Sequence, residues 1–248
     1  MDVSLEIVAI VTATFLLAGL VKGVIGMGLP SVAIGLLAIV MTPAQAVAIM
    51  LGPSLITNVW QMLIGPHLIP LLRRLWLLLV GSVIGIWLGG GILTSTNSRY
   101  AALGLGVALV IYAAIGLSAV RFSVPRRHEP WLSPLVGLAT GFIAGGTGVF
   151  VIPAGPYFQA IGLDKDELLQ MLGISFTVST AALAAILWRD GIMQFGNTTG
   201  SLLAVLPALL GMAIGQRIRA RISPETFRRY FFTGLLLLGL QQAVRNVF

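Results

Sequence analysis

Lys22 is the residue from which the chemistry of this chain can be read. It lies in apolar sequence immediately before a run of helix breakers, Gly23, Gly26, Gly28 and Pro30. A break there leaves backbone N–H groups unpaired and turns the positive end of the following half-helix toward the same place, so a cation beside it makes a site for an anion. A second cluster, Gly141, Gly145, Gly146, Gly148, Pro153, Gly155 and Pro156, encloses Thr147, whose hydroxyl could donate to an oxyanion. Ser54, Thr57 and Asn58, with the counterparts Ser175 and Ser179, fall at helical spacing on the apolar segments that follow, as a polar stripe facing the centre would. Gln61, nearly one turn from Asn58, is a weaker candidate.

Each of these has a bland reading. A lysine at the end of an apolar helix can snorkel to the interface, and a polar stripe can serve helix–helix packing. Glycines at small-xxx-small spacing, as at Gly81, Gly85 and Gly89, allow close approach of helices. For the proline-bearing clusters a functional break is the stronger reading, because paired discontinuous segments in matching halves point to a transport site.

The elements that position these residues occur twice. Gly26 and Gly28 recur 120 residues later as Gly146 and Gly148, and Met50-Leu51-Gly52 with Ser54 recurs 121 later as Met171-Leu172-Gly173 with Ser175. At a spacing of 130, Gly81 and Gly85 answer to Gly211 and Gly215, and Arg99-Tyr100 to Arg229-Tyr230. Each half offers five apolar pieces: 5–25, 29–41, 44–64, 70–93 and 100–120, then 131–144, 149–161, 167–188, 198–216 and 229–245. The expected organisation is a first membrane repeat at 1–120, a cytoplasmic linker at 121–130 and a second repeat at 131–248.

Composition makes this a polytopic membrane protein: 57% of residues are hydrophobic and 9% charged, and the apolar runs approach the roughly 20 residues that span a bilayer. The first run lacks a basic region before it, so a retained helix is expected rather than a cleaved signal. Charge decides the topology. If the short pieces cross, one side collects Lys22, Arg73, Arg74, Arg121, Arg126, Arg127, Lys165, Arg217, Arg219, Arg221, Arg228 and Arg229, and the other keeps Arg99, Arg189 and Arg245. Twelve against three is a positive-inside pattern, whereas parallel four-crossing halves divide the same residues seven against eight. The expected fold is therefore all-α, two inverted-topology repeats of about five membrane segments with Gly/Pro-broken short helices near the midplane. Both termini are expected outside the cytoplasm; re-entrant hairpins in a parallel repeat are the alternative.

Several classes are disfavoured. No cysteine is present, so disulfides, iron–sulfur clusters and thiolate metal sites are excluded. His67 and His128 have no acidic or histidine neighbours at ligand spacing, and neither a metal nor a cofactor is expected. The net charge of +7 lies in short loops, which argues for topology and anionic lipid headgroups and against nucleic acid. An integral-membrane enzyme would need a nucleophile with its base or paired carboxylates, and no such constellation is found.

Lys22-Gly23-Val24-Ile25-Gly26-Met27-Gly28, the short apolar segment after it and the helix start Pro43-Ala44-Gln45-Ala46 resemble the first repeat of the TauE/SafE sulfite-exporter family. Gly141-Phe142-Ile143-Ala144-Gly145-Gly146-Thr147-Gly148 resembles its second. The resemblance implies a permease of a bacterial or archaeal inner membrane for small sulfur-containing anions such as sulfite or organosulfonates. The expected substrate-binding residues are Lys22, Gly26, Gly28, Ser54, Thr57, Asn58, Gly145, Gly146, Thr147, Gly148, Ser175 and Ser179. The expected partners are the anion and membrane lipids, and a homo-oligomer is compatible with the sequence. With no intramembrane carboxylate evident, export driven by the anion gradient and the membrane potential is expected; an anion-selective pore is the alternative.

Overall fold

The computed structural model describes residues 5–95, 98–118, 123–193, 200–219 and 224–247. Arg121, Arg221 and residues 198–199, on which some of the expectations fall, lie outside them. The helices are α1 (Leu5–Ile25), α2 (Leu29–Leu37), α3 (Pro43–Ile64), α4 (Leu68–Thr94), α5 (Ser98–Leu117), α6 (Glu129–Thr147), α7 (Ala154–Ala160), α8 (Lys165–Arg189), α9 (Val205–Arg219) and α10 (Pro224–Val247). Among the described residues six spans are long and apolar enough to cross a membrane: Glu6–Ile25, Pro43–Ile64, Leu68–Thr94, Arg99–Leu117, Lys165–Arg189 and Gly200–Arg219. The protein is a multi-pass membrane protein. Its exposed face carries Trp60, Trp76, Leu88, Leu206 and Tyr230, side chains that lipid accommodates and water would not.

Local chemistry sets the helix limits. α3 opens with a capping box in which Thr42 accepts from the Gln45 amide at 3.3 Å while the Gln45 side chain accepts from the Thr42 amide at 3.1 Å. α8 opens in the same way, with Asp164 accepting at 2.8 Å from the Glu167 amide and the Glu167 side chain accepting from the Asp164 amide at 3.1 Å. α2 and α7, of nine and seven residues, rise only about 14 and 10 Å. The chain leaves helical geometry at Gly26–Gly28 before α2 and at Gly148–Pro153 before α7.

The layers are built by glycines. Along α4 and α6 a Cβ on Gly85 would strike the Leu138 carbonyl, on Gly89 that of Phe142, on Gly141 that of Ser82 and on Gly145 that of Ile86. Along α1 and α9 a Cβ on Gly211 would strike Leu16 O, on Gly215 Leu20 O, on Gly19 Ala208 O and on Gly23 Met212 O. Both pairs run parallel, and their contacts superimpose when α6 is matched to α1 at an offset of 122 and α9 to α4 at 126. Gly26 and Gly148, with φ of 80° and 76°, end α1 and α6 in the same way, each N–H donating four residues back, to Lys22 O and Ala144 O, at 2.7 Å. For these four helices the offsets of 120 and 130 read from sequence are thus off by two and four residues.

α3 and α8 run antiparallel through the interior, with Ser54 beside Thr180 and Gly173 beside Met62. α5 and α10 also pair antiparallel, Gly106 against Gly239 and Gly116 against Phe232. α8 is the most enclosed of the six spans, 61% buried against 28% for Gly200–Arg219, so the α3/α8 pair is the core around which the others gather.

Two local expectations are corrected. Gly23, Gly141, Gly145 and Gly146 are helical: the first three lie where α1 meets α9 and α6 meets α4 backbone to backbone, and a continuous helix is what allows that approach. α6 begins at Glu129 rather than 131, because Pro130 suits the first turn, where no amide partner is needed.

Candidate anion site

α1 delivers Lys22 to the interior, where the residue is 3% exposed. Its ammonium donates to Thr57 Oγ1 at 3.0 Å and to Asn58 Oδ1. The lysine therefore does not snorkel to the surface. Thr57 is held in place by donating to Pro53 O at 2.7 Å, a carbonyl of its own helix. Asn58 Nδ2 donates to Ser54 Oγ at 3.0 Å, and Ser54 Oγ lies 3.4 Å from Thr180 Oγ1 on α8. A continuous polar chain thus runs from α1 through α3 to α8, joining the two halves. Ser175 and Ser179 on α8 are buried with hydroxyls that have no hydrogen-bond partner, and so is Ser82 on α4.

No carboxylate bonds to the Lys22 amine among the described residues; the ion pairs there are Arg74–Glu129 and Arg189–Asp190. Lys22 is also the one buried Lys or Arg among them. In its charged form the Lys22 ammonium has three N–H donors, and two are used, so one donor remains for a ligand. A buried charge left without a counter-ion is costly, and an anion is the ligand that offsets it.

At the end of this site toward His67 two glutamines tie the surrounding elements together. Gln61 Nε2 donates to Gly26 O at 3.0 Å and to Leu169 O at 2.7 Å. Gln170 Nε2 donates to Met62 O at 2.8 Å and Gly65 O at 2.6 Å, while its Oε1 accepts from the His67 amide at 2.8 Å. Together they tie the α1 break, the end of α3 and the start of α8 and α4. At the same end Arg74 grips Glu129 through two hydrogen bonds of 2.9 and 2.7 Å and also donates to Ile161 O at 3.2 Å. Beyond the far end of α8, Asp190 is held below the usual carboxylate value, first by the hydrogen bond from Arg189 and then by that from Thr94.

The structure brings together Lys22, Ser54, Thr57 and Asn58, and links them through the Gly26 carbonyl and Gln61 to the α1 break. Gly28, with φ of 97°, lies against Val21 and Phe231. The second cluster is placed differently. Thr147 Oγ1 donates to Ile143 O at 2.7 Å and accepts from Val149 N at 3.2 Å. With Gly146 it lines an apolar cavity of about 220 Å³ among Ile92, Gly104, Phe142 and Ile152, to which no member of the Lys22 chain contributes. Gly145 faces α4, and Gly148 faces Ile34 and Val47. Sequence reasoning missed Thr180 and Gln170. At the spacing of 121 their counterparts are Val59 and Ile49, so a search for repeated polar residues passes over both.

No curated protein and no solved structure matches this chain. The profile described as Sulfite exporter TauE/SafE matches residues 11–241, nearly the whole length, and the protein belongs to that transporter family.

Proposed function

We propose that the protein exports a small sulfur-containing anion, sulfite or an organosulfonate, across a bacterial or archaeal inner membrane, by alternating access around Lys22, Ser54, Thr57 and Asn58, with Ser175, Ser179 and Thr180 facing from the second repeat. The observation that carries this reading is the buried Lys22 amine with no carboxylate bonded to it among the described residues. Repeats at 1–120 and 131–248, joined by a cytoplasmic linker, are inverted in this reading. The antiparallel pairing of α3 with α8 and of α5 with α10 supports the inversion, because each helix meets its own counterpart running the other way. α1 and α3 run the same way, Lys22 beside Asn58 and Gly26 beside Gln61, so the segment containing α2 carries the chain back between them. That return makes five passages per half and agrees with the division of the basic residues, which is eleven to three once the buried Lys22 is left out.

A potential positive outside pulls an anion outward by about 2.3 kcal/mol per charge per 100 mV, which suits export without a second ion. The test is counterflow: labelled sulfite entering liposomes that contain the purified protein and unlabelled sulfite. Saturable uptake that is accelerated by internal sulfite supports a carrier. Flux that does not saturate indicates a pore, and flux no greater than in empty liposomes removes sulfite as the substrate.

A further inference from the structure

Resting on the reading that Lys22 holds the transported anion, we infer that the site selects for a single negative charge. Its substrates are sulfur oxyanions in their monoanionic form, hydrogensulfite or a monosulfonate, and dianions of the same size are rejected.

Lys22 is the one buried cation among the described residues, and no second charge stands beside it. α2 and α3, which pack beside Lys22, carry no charged residue. α9 brings Arg217 and Arg219, in its last turn, with Arg217 exposed. α10 carries Glu225 in its first turn and Arg228, Arg229 and Arg245, the three arginines exposed, and α1 brings Glu6, also exposed. On α8, reached through Thr180, Lys165, Asp166 and Arg189 are exposed and Glu167 belongs to the capping box. None of these bonds to the polar chain from Lys22 to Thr180 among the described residues. Every other member of the chain is neutral; the Thr57 hydroxyl is committed to Pro53 O and one of the two Asn58 Nδ2 donors to Ser54 Oγ. The free hydroxyls of Ser175 and Ser179 add neutral donors and no charge.

A monoanion at Lys22 therefore brings the enclosed charge to zero. A dianion leaves one negative charge surrounded by neutral dipoles in a low-dielectric interior, where an uncompensated ion is strongly disfavoured. Sulfite exchanges between its two forms near neutral pH, so the rule decides which form is carried.

The experiment uses the full chain in liposomes at one fixed pH, with counterflow of labelled sulfite and two tetrahedral competitors of similar size: sulfamate, a monoanion, and sulfate, a dianion. Sulfamate is expected to compete at concentrations at least about tenfold lower than sulfate. The preference persists in Lys22→Arg, which keeps one cation, and collapses in Lys22→Met. Sulfate competing within about threefold of sulfamate, with counterflow intact, overturns the charge rule alone. Counterflow absent for every anion overturns the transport reading and this inference with it.

Discussion

Replacing Lys22 by Met separates function from stability, because the lysine stabilises a ligand at the protein's own expense. The substitution keeps the length of the side chain and removes the charge from a residue 3% exposed. On the debit side, Asn58 Oδ1 loses its donor, and an orphaned buried acceptor costs about 1–3 kcal/mol. Thr57 Oγ1 is not orphaned, because it still donates to Pro53 O. On the credit side, an ammonium with no bonded carboxylate leaves the interior, which relieves several kcal/mol, roughly, of desolvation. The folded protein is therefore expected to be as stable as the wild type or up to about 2 kcal/mol more stable. Anion binding moves the other way. A charge-assisted contact in a partly dry site is worth about 2–4 kcal/mol, so the sulfite concentration for half-maximal counterflow rises roughly 30- to 700-fold. Thermal unfolding in detergent and counterflow in liposomes are measured on the same preparation. A melting temperature that falls by many degrees while counterflow stays intact would refute the reasoning, since the amine would then be a structural bond to α3 and not a substrate ligand.

Three further outcomes follow from the geometry. Gln170→Leu removes three hydrogen bonds, about 2–4 kcal/mol in all, and loosens the glutamine ties. A single cysteine at Met62, in a protein that has none of its own, is then labelled faster by an impermeant maleimide from the side carrying Arg73 and Lys165; an unchanged rate means the glutamines do not close that path. Gly85→Ala sets a methyl on the Leu138 carbonyl and is expected to cost about 3 kcal/mol, whereas Gly91→Ala, with nothing within 4 Å, is neutral or gains up to about 1 kcal/mol. Equal melting temperatures for the two would contradict the backbone contact between α4 and α6. Inversion predicts that cysteines replacing Arg126 and Lys165 are labelled from one side of the membrane and those replacing Arg99 and Arg189 from the other; labelling of positions 99 and 126 from the same side defeats it.

The long spans were legible because bilayer thickness and local caps set them: apolar length marks each span, and Thr42 and Asp164 announce α3 and α8, whereas α2 and α7 are shorter than the apolar runs 29–41 and 149–161 that hold them. Lys22, Thr57 and Asn58 were legible as types on amphipathic spacing. Their meeting was not, since only the parallel run of α1 and α3 puts residues 35 and 36 positions apart within a hydrogen bond. The repeat register failed for a definite reason. Glycines recur every four residues on these helices, so a match displaced by a turn looks as good as the true one. Gly26 was paired with Gly146, a helical residue, when its structural counterpart is Gly148; Gly81 was paired with Gly211, which packs as Gly85 does. What breaks the degeneracy is the carbonyl each glycine lies against, and no sequence pattern records that.

The corrected register changes what stands opposite the cation. At an offset of 122 the counterpart of Lys22 is Ala144, fully buried, and not Phe142, which is 47% exposed. Lys22 and Ala144 hold the same place, each accepting through its carbonyl from the left-handed glycine that ends its helix. Of these two matching places only the one on α1 holds a buried cation. If both halves supplied a lysine, the enclosed charge would be two and a dianion would be the matching ligand. With a methyl in the second place it is one, and the charge selectivity proposed above rests on Lys22, which has no basic counterpart at that offset.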